Sequence, residues 1–431
     1  MSVTSTSDPI RPDRANHMPI MPAVRRVNVR TPEIMPLVQA EVEEHYRSPI
    51  VEAVRAAGGS LTIGSTTIRL ARQFGFCYGV ERAIDLAYAA RRVFADRNLY
   101  LLGEIIHNPE VNRQLEEMNI RFLPSRPGDE ELQSLSPDDV VIVPAFGSET
   151  AVMEQIAARG CATIDTTCGD VMSVWRRVRD YAKRGHTSII HGKASHEETR
   201  ATASRALGEN THGHYLVILT LDDCDAVCHY IQHGGSTEAF LARFAGAASP
   251  GFNPDTHLQR IGVANQTTML KSETEEIQRR LRAAVEARDG NSTNFLAFDT
   301  ICGATQERQD ALFDMLRQPM DIMIVVGGYN SSNTTHLVEI AEQQLPTFFI
   351  RNAACLASLE QIVHFDLHQK KEQATYTDKL HGDGPVTIGI TAGASCPNNL
   401  IEDTIVRLFA LRGTSRADLE AALPRPPQEP A

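Results

Sequence analysis

With 431 residues, 42% of them hydrophobic and 22% charged, the chain has the composition of an ordinary soluble globular protein of about two to three domains. A net charge of -12 argues against general affinity for nucleic acid, which needs a basic face to neutralise phosphate, and no apolar run approaches the roughly 20 residues of a bilayer span. Eight cysteines without close spacing do not form the framework of a small secreted domain, and Met1 to Arg30 lacks the apolar stretch of a signal peptide, so cytoplasmic residence is expected.

In chain order, residues 1 to about 31 are rich in Ser, Thr, Pro and Arg and are expected to be disordered. One or two helices follow over 33–57, with Val38, Val42 and Tyr46 at helical spacing and Gly58-Gly59 as the stop. From Thr67 onward short β-branched or apolar runs alternate with helical patterns, which is the signature of parallel sheets with crossover helices. Strands are predicted at 67–70, 99–102, 140–143, 188–191, 215–219, 260–264, 321–326, 347–350 and 386–390. The end of the chain, from Gly413, is proline-rich and expected to lack structure.

Three cysteines share a setting. Ile164-Asp165-Thr166-Thr167-Cys168-Gly169 returns as Phe298-Asp299-Thr300-Ile301-Cys302-Gly303, and Cys77 in Phe74-Gly75-Phe76-Cys77-Tyr78-Gly79 also follows a strand-like run and precedes a helical pattern over 80–92. A thiol at a helix N-terminus feels the positive end of the dipole, which favours the thiolate that binds metal. Three thiolates fill three positions of a tetrahedral metal site or of a cubane iron-sulfur cluster and leave one metal position open. The alternative is three unrelated buried thiols, since free cysteine is often buried. Cys161, Cys224, Cys228, Cys355 and Cys396 lack the repeated frame and read as structural.

Several strand-to-helix junctions carry ligand-binding chemistry. The run 322–326 enters Gly327-Gly328-Tyr329-Asn330-Ser331-Ser332-Asn333 and then a helix predicted over 336–342, a turn whose amides and hydroxyls suit phosphate or simply cap the helix. A second such turn, 390–397, offers Ser395 as a helix cap, with Pro397 in the first turn. His107 and His196 follow strands in the same way. Glu198, beside His196 at a helix start, reads as a first-turn acid or as a proton donor. Thr267 and Thr268 close another strand, where they could cap a helix or reach a ligand.

In order, these motifs resemble the 4-hydroxy-3-methylbut-2-enyl diphosphate reductase (LytB-type) family over roughly residues 68–410. The resemblance rests on Gly75-Phe76-Cys77, Ile105 to Pro109, Asp165-Thr166-Thr167-Cys168, His196 to Glu198, Gln266-Thr267-Thr268, Cys302 with Ala304-Thr305-Gln306, Asn330-Ser331-Ser332-Asn333 and 391–395. It implies an α/β fold in which three α/β domains with parallel sheets form a trefoil around a central iron-sulfur cluster. The domains are expected over 67–168, 169–300 and 301–411, with an extension over 1–66 and a tail over 412–431. It further implies one 4Fe-4S cluster per chain on Cys77, Cys168 and Cys302, with one iron not ligated by protein. The substrate implied is a small allylic diphosphate, held by His107, His196, Thr268, Ser331, Ser332, Asn333 and Ser395, with Glu198 and Thr267 delivering protons. The histidines would be partly cationic or donate from neutral imidazole. A one-electron donor such as ferredoxin or flavodoxin is implied as partner, with no nucleic acid and no membrane.

Two departures stand out. The chain reads Pro144-Ala145-Phe146-Gly147 where many members carry a diphosphate-binding histidine; in that segment and in its N-terminal extension it resembles the longer plant and cyanobacterial branch, and Lys193 is the candidate substitute. Gly169-Asp170 follows Cys168 where proline is usual, and a carboxylate there opposes cluster reduction, so Asp170 is expected to point away. A non-redox iron-sulfur hydro-lyase, a non-catalytic iron-sulfur sensor and a zinc hydrolase are the rival readings.

Overall fold

The computed structural model describes residues 24–208, 213–298, 300–381 and 384–423. Three sheets organise the chain. The first runs, in spatial order, Arg25–Arg26, Ala162–Asp165, Val140–Val143, Leu99–Leu102 and Ile120–Leu123, all parallel. The second is also parallel and runs Phe295–Ala297, Ile261–Asn265, Thr187–His191 and Tyr215–Ile218. In the third, Thr347–Ile350, Ile322–Val326, Val386–Ala392 and Thr66–Leu70 are parallel and Ser60–Ile63 is antiparallel at the edge. Central strands such as Val140–Val143 and Ile322–Val326 are buried at every residue, as expected when helices cover both faces of a parallel sheet.

The chain passes from one sheet to the next at the three cysteines. Strand Thr66–Leu70 of the third sheet leads to Cys77, which precedes helix Tyr78–Val93, and that helix packs Ile84 and Leu86 into the core of the first sheet. Strand Ala162–Asp165 of the first sheet leads to Cys168 and helix Gly169–Lys183, whose Tyr181 donates to the Val263 carbonyl in the second sheet at 2.8 Å. Strand Phe295–Ala297 of the second sheet leads to Cys302 and helix Gly303–Leu316, whose Leu312 and Met315 join the core of the third. Right-handed crossovers in parallel sheets put such junctions at the strands' carboxyl ends. The three junctions therefore face one centre.

Four expectations need correction. Residues 24–31 are ordered, because Arg25–Arg26 extends the first sheet beside Ala162–Thr163 and Val29 is fully buried; residues 1–23 lie outside the described residues. Thr66–Leu70 belongs to the third sheet, so the division at 66/67 does not follow sheet membership. The C-terminal segment forms helix Arg416–Ala422, capped by Ser415 and holding Leu419 in the third core, whereas residues 424–431 are not described. The helix expected over 336–342 begins at Ser332, because the Ser331 hydroxyl accepts from the Thr334 amide.

The extension is a strap. Helix Met35–Tyr46 packs against Tyr78–Val93 and Asn398–Leu411, and helix Pro49–Ala56 packs against Asn398–Leu411 and Ser60–Ile63. Ser48 caps the second of these helices and donates at 2.6 Å to buried Glu402.

Candidate functional site

All twelve site residues expected from the sequence line one open cavity. Cys77, Cys168 and Cys302 enter from different sheets, each at the N-cap of its helix with no side-chain cap bond. All three are free and partly buried. Gly79 is what lets two of them approach, since a Cβ there would lie 2.6 Å from Cys168 Sγ and 3.8 Å from Cys77 Sγ.

Thiolate was the form expected from the helix ends, but burial wins in the bare cavity. It raises Cys168, and together with a hydrogen bond to Asp170 it pushes Cys302 up to about 12. Asp170 therefore lines the cavity and meets Cys302, contrary to the expectation that it points away. A thiol held neutral by burial ionises when a metal takes the place of its proton. The residues present fit an iron-sulfur core: an all-sulfur donor set, drawn from three elements, in a cavity with room beside it.

Next to the sulfurs lies the carboxyl of Glu198, 3% exposed. It accepts from the Thr267 amide at 2.6 Å and the Thr267 hydroxyl at 3.0 Å. Those bonds favour the carboxylate, but burial is the larger effect and raises Glu198 to about 7. Gln266 fixes the surrounding loops: its amide donates to Thr268 Oγ1 at 2.8 Å, and its oxygen accepts from Thr199 Oγ1 at 3.1 Å and the Lys193 amide at 3.2 Å.

The far wall is an anion cup. His196 is the N-cap of helix Glu197–Ala206, and its Nδ1 accepts from the Glu198 amide at 3.2 Å. The proton therefore sits on Nε2, which is buried without a partner. Burial, aided by His107, holds His196 down to about 3, so it donates as neutral imidazole. His107 Nδ1 is 2.9 Å from Glu104, and its ring stacks on Phe146 with centroids 4.8 Å apart and planes at 11°. Asn333 Nδ2 is likewise buried without a partner, and His107 Nε2 has no hydrogen bond although a Glu197 carboxylate oxygen lies 3.8 Å from it. Ser395 does not cap the following helix, which starts after Pro397; its hydroxyl donates to the His107 carbonyl at 3.2 Å and meets Ser331 Oγ at 3.4 Å.

Ligand atoms of His107, His196 and Glu197 lie within 4.8 Å of one another, close enough to hold a cation. The cap on His196 argues otherwise, because it turns Nε2 outward as N–H, which binds an acceptor rather than a metal. Phe146 supplies a ring face, not a hydrogen bond, and Lys193 is not among the lining residues. Sequence reasoning missed Glu104 and Gln266 as supports of this site. Only Gln266 sat inside a motif already singled out.

The family model described as LytB protein matches residues 68–409. The 4-hydroxy-3-methylbut-2-enyl diphosphate reductase of Gloeobacter violaceus is 46% identical over 397 residues, covering 90% of this chain and 93% of its own. That of Thermosynechococcus vestitus is 45% identical over 382 residues, covering 88% and 93%. The solved E-1-hydroxy-2-methyl-but-2-enyl-4-diphosphate reductase from Plasmodium falciparum shares the fold, with a TM-score of 0.58 at 22% identity over 81% of this chain and 90% of that one.

Proposed function

The chain belongs to the LytB family, and from that premise we propose that it reductively removes the allylic hydroxyl of (E)-4-hydroxy-3-methylbut-2-enyl diphosphate, giving isopentenyl and dimethylallyl diphosphate, the last step of the methylerythritol phosphate route to isoprenoids. The observation that carries the reading is the meeting, in one cavity, of three thiols, a raised glutamic acid and a wall of unpartnered N–H groups. Cys77, Cys168 and Cys302 would hold a 4Fe-4S cluster, with three protein thiolates leaving one iron open. When bound, it supplies electrons singly from a one-electron donor and a Lewis-acidic position for the substrate hydroxyl.

The chain's own groups do the rest. His196 Nε2–H, Asn333 Nδ2–H and the hydroxyls of Ser331, Ser332 and Ser395 bind the diphosphate. The N-terminus of helix Ser332–Glu342 adds its amides and dipole. His107, anchored through Nδ1 to Glu104, lines the same wall. Glu198, poised near neutrality, gives up the proton with which the hydroxyl leaves as water, relayed through the Thr267 hydroxyl that touches it. Thr268 is held toward the substrate by Gln266. A second proton reaches either end of the allylic carbon skeleton, and the bound diphosphate is its candidate source.

The test is an anaerobic assay of the full chain with the hydroxylated allylic diphosphate and a reduced one-electron dye. Dye oxidation coupled to both isomeric products is expected. Conversion that proceeds equally without reductant overturns the reading in favour of a hydro-lyase.

A further inference from the structure

Arg308 lies on helix Gly303–Leu316, under two turns past Cys302, and is 3% exposed. Its guanidinium donates to the Gly75 carbonyl at 2.7 and 3.3 Å, to that of Phe76 at 3.2 Å and to that of Ala304 at 2.8 Å. Carbonyl oxygens satisfy its N–H groups but leave its charge unmatched. Among the described residues no carboxylate forms an ion pair with it, and Glu307 and Glu81 attract it only from a distance; the carbonyls around it belong to the segments that carry Cys77 and Cys302. Arg55 adds a second, half-buried cation nearby: it donates to the Phe74 carbonyl at 2.9 Å, lies 3.9 Å over the Phe74 ring, and repels Arg308.

Burying a cation without an ion pair is costly, and beside neutral thiols the charge of Arg308 is unbalanced. Thiolates on an iron-sulfur core restore the balance. Resting on the proposed cluster ligation, we infer that Arg308 is the fixed counter-charge of the cluster: it holds the Gly75-Phe76 segment that aims Cys77, and it raises the potential at which the core accepts an electron. Three thiolates make the oxidised core net negative, and one electron from the donor deepens that charge. A nearby cation in a low-dielectric site favours the reduced form. Arg308 touches no substrate, so it is a positioning residue that acts through the cysteines and their cluster.

Bracing alone and counter-charge make different predictions for two substitutions. Arg308→Lys keeps the charge and loses the forked contact with three carbonyls, whereas Arg308→Gln keeps some hydrogen bonding and loses the charge. Wild type and both variants are reconstituted anaerobically and assayed for iron and sulfide, then titrated potentiometrically with the cluster followed by electron paramagnetic resonance. The glutamine variant is expected to show about a tenfold loss in the reduced-to-oxidised ratio at fixed poise, ~59 mV for a one-electron couple, or not to load at all, with the lysine variant nearest wild type. Two loaded variants with the wild-type potential, or two that both fail to load, overturn the inference. A wild-type chain that takes up no cluster overturns the ligation itself, and that outcome is read separately from the iron assay.

Discussion

At Glu198 two forces oppose each other. Two hydrogen bonds from Thr267 favour the charged form and full burial favours the acid, and burial wins by enough to bring the group to about 7 from 4.5. An acid half-protonated at neutral pH can donate and be refilled, which is what a proton source needs. Glu198→Gln should keep iron content and lose roughly 10²–10⁴-fold in turnover, and near wild-type turnover in a loaded variant would reject the role. The same shift has a stability cost. Because the folded pKa is raised, the stabilisation is fully present below about 4.5 and is lost as pH rises to about 7, amounting to about 3 kcal/mol above that. Glu198→Gln should therefore gain in denaturation midpoint over wild type as pH rises from about 5 to about 8. A gap that stays constant across that range would contradict the assigned burial. His196 works in the opposite sense: held down to about 3, it stays neutral through the physiological range, so its Nε2–H is a dependable donor.

The elements explain what was legible in the sequence. Central strands such as Leu99–Leu102, Val140–Val143 and Ile322–Val326 were visible because both faces are buried and the runs are nearly all apolar, and so was the apolar edge strand Thr347–Ile350. Polar strands were not. Arg25–Arg26 is two exposed arginines held by sheet pairing and by an ion pair of Arg26 with Asp165 at 3.1 Å, and the antiparallel pair Gln361–Asp366 and Lys371–Tyr376 alternates polar residues with little burial. The cysteine junctions were legible as a repeated frame, although Asp299 of the second copy lies outside the described residues. That the frame marks passage between sheets needed the sheet pairings. Two predictions belong at this scale. Gly79→Ala pushes a methyl to 2.6 Å from Cys168 Sγ, so iron content should fall while circular dichroism stays native; full loading would contradict the close approach. Ser48→Ala removes both a helix cap and a partner of buried Glu402, and should cost about 1–2 kcal/mol in unfolding free energy. No change in the melt would show that the strap contributes nothing there.

At the scale of the molecule, three sheets each hand one cysteine to a common centre, and each helix that starts at a cysteine belongs to the next sheet's core. Binding of the proposed cluster would tie together units that are otherwise distant in sequence. The twelve site residues were individually readable because strand-to-helix junctions are punctuated by Gly, Ser, Thr, Asn and Cys. Among their supports, Gln266 and Arg308 act through contacts with segments far apart in the chain, which no local pattern reveals, whereas Glu104 lies only three residues before the His107 it holds. The most direct test of the account is the iron-to-chain ratio of anaerobically reconstituted protein, measured for wild type, for Cys77→Ser, Cys168→Ser and Cys302→Ser, and for Cys396→Ser as a buried control outside the cavity. The account predicts loss of most iron in each of the first three variants and none in the control, whereas wild-type iron in any of the first three would contradict it.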